Sequence, residues 1–520
     1  MRFLKAKDKS NTRRGGGSSN RDNLELQAFR EPNKKRKIIL ITVLFSMLIL
    51  SGMYLYKTYA AFTEEKHFNV INGTVGDPGD LYFAYYVDGE ITRNMPKKGT
   101  DYTLDTEKSN CTNGVTVGWD QDKWTALVNY ENYNATDFTR TKCNLYFKQT
   151  PYCDLHPDTM ACQITTLAKT DTTNLAVDDY GNTRYIGADP NNYVRVEGEE
   201  YTSDIYYGYY SSSSTEYKEY SSLEECKKAS SYRVNCKLAY SKGDPILWRV
   251  IGTMKDIDDG TGTKEDRVKI IRASSIGEYS WDTSESSVND GDGVNEWSQA
   301  KLMKLLNPGY ENESIGGSLY WNNQSGTCYV GSNNNTKACD FTSTGIKDKL
   351  KTLINDAVWN TGASTTESQI ASKFYTEERG TRNGKICSSG KYCNDTVERT
   401  TSWTGKVGLM YPSDYGYATS GGSTTDRATC LNTNLFKWQD NSVSDCKNND
   451  WLVNSSTQWT LSPSTYSSSA QHAYVVYNSG YVYGVYSVFA GFVVRPVVYL
   501  SSSVGVQSGD GSRGNPFTIR

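Results

Sequence analysis

The sequence predicts an α+β protein carried outside a membrane by one N-terminal helix. Three observations predict it. Ile38 to Tyr56 runs nineteen residues without a charge. The twelve cysteines fall into close neighbours along the chain. Between them, short alternating strand segments outnumber helical ones, of which two stand out.

Residues 1–37 carry twelve Lys or Arg against four Asp or Glu and centre on Arg13-Arg14-Gly15-Gly16-Gly17. Such a polar, basic stretch reads as a disordered tail. Lys34-Lys35-Arg36-Lys37 then abuts Ile38. A helix over 38–56 is about 28 Å long, close to the ~30 Å hydrocarbon thickness. The basic cluster fixes the tail in the cytoplasm and sends the remainder outside as a single-pass protein of the cell membrane. A cleaved signal peptide is the other reading, since Thr58-Tyr59-Ala60 precedes Ala61 in the manner of a small-residue cleavage site. The remainder is acidic, which argues against nucleic acid as a partner.

Residues 62–150 read as a small β-sandwich stalk. Leu81 to Val87, Asp88-Gly89 and Glu90-Ile91-Thr92 make a hairpin with a tight turn. Pairing neighbours gives Cys111 with Cys143, Cys153 with Cys162, Cys226 with Cys236, Cys328 with Cys339, Cys387 with Cys393, and Cys430 with Cys446. None forms a C-x-x-C pair, so six local disulfides in an oxidising compartment are expected rather than a zinc or redox site.

Residues 151–520 read as one head. A Tyr/Ser-rich insertion over 198–243 is expected to be a solvated loop or hairpin. Leu247 to Gly252 and Arg267 to Arg272 alternate as strands, joined by a polar loop over 256–266. Asn295 is placed to cap a helix over Trp297 to Leu306, with Trp297, Ala300, Leu302, Leu305 and Leu306 inward. A second helix is expected between Gly345 and Gly362, with Ile346, Leu350, Leu353, Ile354, Ala357 and Val358 on one face.

Catalytic patterns are thin. His67, His156 and His472 lie far apart, and full pairing of the cysteines leaves no nucleophile, so no enzyme activity, metal or cofactor is expected. Asp256 to Asp259 and Asn289 to Gly293 lack the twelve-residue calcium-loop spacing and read as solvated turns.

The richest stretch is Trp459 to Leu500. Ala473 to Tyr477 and Tyr481 to Val485 flank the turn Asn478-Ser479-Gly480, with Tyr481 and Tyr483 on one face and Val482 on the other. Tyr486 to Phe492 then loops into a last strand, Val493 to Leu500. Tyrosine with Ser and Gly is the composition of binding loops: large area, few rotors and adaptable hydrogen bonding. The candidate ligand-binding residues are Tyr474, Tyr477, Ser479, Tyr481, Tyr483, Tyr486, Ser487, Phe489 and Phe492. A buried two-sided hairpin is the competing reading.

Several phrases resemble a group of uncharacterised surface proteins of gut Firmicutes and Mollicutes. They are Arg184-Tyr185-Ile186-Gly187-Ala188-Asp189-Pro190-Asn191-Asn192-Tyr193, Trp248-Arg249-Val250-Ile251-Gly252, Tyr411-Pro412-Ser413-Asp414-Tyr415-Gly416-Tyr417, Trp459-Thr460-Leu461-Ser462-Pro463 and Val494-Arg495-Pro496-Val497-Val498-Tyr499-Leu500. The W-x-x-x-P pattern, hairpin and V-R-P are similar to C-type-lectin-like domains, which include formylglycine-generating-enzyme relatives and the variable proteins of diversity-generating retroelements. The last resemblance implies adenine-directed diversification of exposed positions. The candidate residues, with Ser467, Ser468, Ser469, His472, Gly484 and Ala490, are types reachable from AAY codons. The calcium-lectin sugar motifs and the paired cysteines of the formylglycine enzymes are absent. The expectation is a cell-surface adhesion or binding protein that takes an unknown protein or glycan through 464–492. A structural envelope protein and a formylglycine-type surface enzyme are the alternatives.

Overall fold

Polypeptide that alternates apolar and polar residues in runs of five to ten can bury its backbone only by pairing strands, and strands dominate here. The computed structural model describes residues 81–98, 101–120, 122–134, 141–210, 216–220, 223–228, 234–287, 291–364, 369–381, 399–453, 456–465 and 470–520. The expected tail (1–37), spanning helix (38–56), Cys387, Cys393 and Ser467 to Ser469 lie outside them. Among the described residues, no helix is long and apolar enough to cross a membrane. The chain divides into two compact units, Met1–Leu155 and His156–Arg520.

In the first unit, Leu81–Val87 runs parallel to Thr141–Gln149, in register from Leu81 with Thr141 to Val87 with Phe147. Glu90–Thr92, Tyr102–Leu104 and Asn110–Cys111 complete a five-stranded sheet. The Asp-Gly turn forms as expected: Asp88 and Gly89 have φ of 50° and 85°, the positive pair that a two-residue hairpin turn requires. Cys111 lies directly across from Cys143, and the two are disulfide-bonded. A separate two-stranded ribbon, Thr116–Asp120 with Thr125–Asn129, sets Trp119 edge-on to Phe147 at 5.4 Å.

The second unit is a mixed α/β structure built on two sheets. The larger has nine strands. Its centre is the antiparallel pair Trp248–Asp258 and Lys264–Arg272, flanked by Val497–Tyr499 on one side and Tyr193–Val196 on the other. The chain's last strand, Phe517–Ile519, runs parallel to Tyr193–Val196. Trp248 to Met254 is buried without interruption, as a strand covered on both faces must be. The smaller sheet orders Glu278–Tyr279, Phe492–Val493, Gln458–Pro463, His472–Val476 and Val482–Ser487. Phe492–Val493 and Val497–Tyr499 thus belong to different sheets, so the single strand expected over 493–500 is two. Arg495-Pro496 makes the step between them, with Arg495 Nε donating to the Arg272 carbonyl at 3.0 Å.

The 198–243 insertion carries the expected hairpin, Ile205–Tyr210 with Glu216–Tyr220, and adds Val234–Tyr240 to make a three-stranded sheet, with Cys236 of that strand bonded to Cys226. Three further expectations are corrected. The helix expected over 345–362 covers only Asp348–Leu353. Ile354 is extended (φ −101°, ψ 118°), and Ala357–Asn360 pairs as a strand with Ser402–Gly405. The helix expected over Trp297 to Leu306 breaks at extended Ala300 into a short turn, Trp297–Gln299, and Lys301–Leu306, although all five named core positions are buried. Glu296 caps it, not Asn295. Two helices were expected; the second unit also has Met160–Leu167, Ala371–Glu378, Pro412–Tyr417 and other short ones. Ten cysteines are described and all are disulfide-bonded. The pairs include Cys328–Cys339 and Cys430–Cys446, as expected, and Cys153 and Cys162 are also in the disulfide state.

Candidate functional site

The terminal hairpin is shaped by two glycines. Tyr477 N–H donates to the Tyr481 carbonyl at 2.8 Å, and Gly480 N–H to the Tyr477 carbonyl at 2.8 Å. Gly480 has φ +81°, and a Cβ there would sit 2.7 Å from Lys447 Cβ. The Tyr415 hydroxyl pins the turn by donating to the Gly480 carbonyl at 2.8 Å. Gly484 makes room for Tyr474, whose ring would lie 2.4 Å from a Cβ at 484. The register shifts by one between Ala473 and Val475, so Tyr483 and Tyr486 project to the same side although three residues apart.

On that side the rings form one connected patch. Tyr477 stacks on Tyr486 at 5.9 Å, and Tyr481 touches Tyr477 at 5.0 Å and Tyr483 at 6.1 Å. Tyr486 meets Phe492 at 4.9 Å, which in turn meets buried Trp459 at 4.9 Å. Phe436 closes the patch edge-on to Tyr481 at 5.6 Å. Val482 points inward and is fully buried.

Tyr477, Tyr481, Tyr483, Tyr486, Ser487, Phe489 and Phe492 are half-buried, and Ser479 is exposed at the turn. Tyr474 differs from the other candidates: it is fully buried, edge-on to Phe374 at 5.2 Å, and belongs to the core. Phe489 is held through its carbonyl, which accepts from the Ser280 hydroxyl at 2.6 Å. Phe436 was not legible as a site residue. The Cys430–Cys446 disulfide closes the loop that brings it to the hairpin. Val482–Ser487 is an edge strand: among the described residues its only strand partner is His472–Val476.

The face is uncharged. Burial, then neighbouring Tyr477, raises the Tyr486 phenol above its ordinary value, and burial with Tyr477 and Tyr483 raises Tyr481. These phenols stay protonated at neutral pH, so the patch offers apolar ring area and hydroxyl hydrogen bonds. His472, across from Ser487 in the sheet, is pushed down by burial. Asp258 and Asp259 accept from turn N–H groups at Gly260 and Thr261, both at 2.7 Å. Among the described residues, no cluster of three or more His, Cys, Asp or Glu could hold a metal ion.

The quoted phrases meet elsewhere, in the interior. Strand alternation puts Arg267 and Lys269 on one face of the large sheet. Lys269 Nζ contacts Asp414 Oδ2, while Arg184 Nη1 donates to Asp414 Oδ1 at 2.6 Å and Arg184 Nε to Asp178 at 2.9 Å. Burial opposes ionisation of Asp414, yet Lys269 and Arg184 hold its carboxyl at about 2. Burial pushes Lys269 down to about 8. Glu378 accepts from the Ser413 N–H at 3.1 Å and its hydroxyl at 2.5 Å, and burial raises it to about 7.

Comparison with protein-family models, with curated proteins and with solved structures finds no match for this chain.

Proposed function

We propose that the chain is a cell-surface binding protein that takes a protein or glycan through the aromatic face of 477–492. The observation that carries this is the connected patch of half-buried rings on an edge strand, with its turn fixed from below by Tyr415. Rigid tyrosines lose little rotamer entropy on binding, and adjacent hydroxyls adapt to a polar partner. The proposal includes the anchor at 38–56, the stalk and a C-type-lectin-like head, which rest on sequence pattern and resemblance. All ten described cysteines are in disulfides, which supports a binder over a thiol-dependent enzyme.

If the hairpin is diversified, its geometry narrows the variable set. Ser479 is exposed, and Tyr477, Tyr481, Tyr483, Tyr486 and Ser487 are half-buried, with Tyr481, Tyr483 and Tyr486 at the core's margin, so these positions can change at lower cost than the interior. Tyr474 and Gly484 cannot, because each fills space left by the other.

The test is binding of the full chain, in detergent micelles, to arrayed glycans and surface proteins. Tyr481→Ser with Tyr483→Ser is expected to lower retention at least about tenfold, since two anchoring rings are removed. The melting temperature should move by only a few degrees. Equal retention by variant and wild type would remove this face as the site.

A further inference from the structure

The contact between Lys269 and Asp414 is chemically unusual in its surroundings. Lys269 is 1% exposed and Asp414 2%. The Lys269 amine lies 4.2 Å from the Tyr411 ring centre, 5.5 Å from Tyr499 and 5.6 Å from Trp359. An amine and a carboxylate thus meet in an aromatic box, on elements 145 residues apart in the chain. We propose that Lys269 and Asp414 condense into an intramolecular isopeptide bond, making this a self-modifying site.

The step needs no outside reagent. One Nζ proton passes to Asp414 Oδ2, giving a neutral amine and a carboxylic acid. The Nζ lone pair attacks Cγ and forms the N–C bond. The Cγ–Oδ2 bond breaks, and Oδ2 leaves as water with a second Nζ proton. The amide keeps the third proton on nitrogen and Oδ1 as its carbonyl. Nothing is oxidised or reduced.

Four features of the site favour it, against the ion pair itself, which holds the Asp414 carboxyl at about 2 and makes the first proton transfer the uphill step. The fold holds the reacting groups in contact, which replaces the activation an intermolecular amide needs. Burial lowers the Lys269 amine to about 8, so its neutral form is accessible. Arg184 Nη1, 2.6 Å from Oδ1, is placed to hold the charge that develops on that oxygen. Charge also balances afterwards: condensation neutralises Lys269 and Asp414 together and leaves Arg184 paired with Asp178 at 2.9 Å. Replacing a buried ion pair by a neutral amide removes the cost of keeping two charges out of water.

The bond would tie the centre of the large sheet to the helix Pro412–Tyr417 and, unlike the disulfides, survive reduction. The test is mass spectrometry of the full chain, reduced and denatured, followed by a tryptic map. The expected result is a deficit of one water, located in a branched peptide that joins the segments bearing Lys269 and Asp414. Lys269→Arg should restore the missing mass. Separate, unmodified Lys269 and Asp414 peptides from the wild type would overturn the proposal, whatever the folding of the variant. So would a deficit that persists in Lys269→Arg.

Discussion

Two groups of tyrosines in the second unit share a residue type and little else. Tyr411, Tyr415 and Tyr499 are 0–3% exposed and enclose ionic and backbone partners. Tyr477, Tyr481, Tyr483 and Tyr486 are half-buried and pack on one another and on the neighbouring rings of Phe436 and Phe492. In the first group the phenol serves the interior: Tyr411 and Tyr499 wall in the Lys269 amine, and Tyr415 fixes a turn carbonyl. In the second, the rings form a half-buried patch, with Tyr477 hydrogen-bonded to Tyr486, beside a turn held in place by that same Tyr415. One group builds the platform, and the other is the patch proposed to be presented on it.

The comparison can be broken most strongly from the inside. Asp414→Ala leaves Lys269 and Arg184 without their shared carboxylate in a dry interior. It should cost about 3–5 kcal/mol, read from the midpoint of urea unfolding, with loss of the proposed cross-link adding to this. Next is pH. Glu378 is raised from 4.5 to about 7 in the folded protein, so its neutral form is favoured there. The stability this confers is fully present below about 4.5 and is lost as pH rises through about 7, on the order of 3 kcal/mol across the full titration. Buried Asp282, raised to about 6, acts in the same direction. Glu378→Gln should flatten the decline in urea midpoint between pH 5 and 7, roughly the span between the two pKa values.

Smaller effects sharpen the boundary between the groups. Gly484→Ala forces a Cβ against the Tyr474 ring and should cost about 1–3 kcal/mol by thermal melting, although position 484 lies within the presented hairpin. Tyr481→Ser removes a half-buried ring that packs on Tyr477, Tyr483 and Phe436 at the core's margin and should cost about 1 kcal/mol, while weakening binding far more. If the last two came out in reverse order, the hairpin would be core rather than face.

The strands were legible where alternation or turn chemistry is strong. Leu81 to Thr92 with its Asp-Gly turn and the Asn478–Gly480 turn formed as read, while the Trp248 and Arg267 segments formed strands that run on to Asp258 and start at Lys264, which shortens the loop expected over 256–266. The failures have physical reasons. Ala371, Phe374, Tyr375 and Glu378 fall at helical spacing and are all buried, but the fourth is a carboxylate, which hides the apolar stripe. Asn295 resembles a cap, yet its amide donates to the Ser464 carbonyl at 2.9 Å and its oxygen accepts from Arg399 at 2.6 Å. Both partners are more than a hundred residues distant. The register shift that aligns Tyr483 with Tyr486, and the disulfide loop that delivers Phe436, are tertiary facts without a local signature. Three of the quoted phrases told of the interior rather than the site: Arg184, Asp414 and Tyr499 converge around Lys269.

The most direct measurement of the central claim is tyrosine nitration of intact cells displaying the full chain, mapped by mass spectrometry. Modification of Tyr481, Tyr483 and Tyr486, with Tyr411, Tyr415 and Tyr499 protected, is the predicted result. Protection of Tyr481, Tyr483 and Tyr486 to the same degree as Tyr415 would show a covered hairpin and contradict a presented binding face.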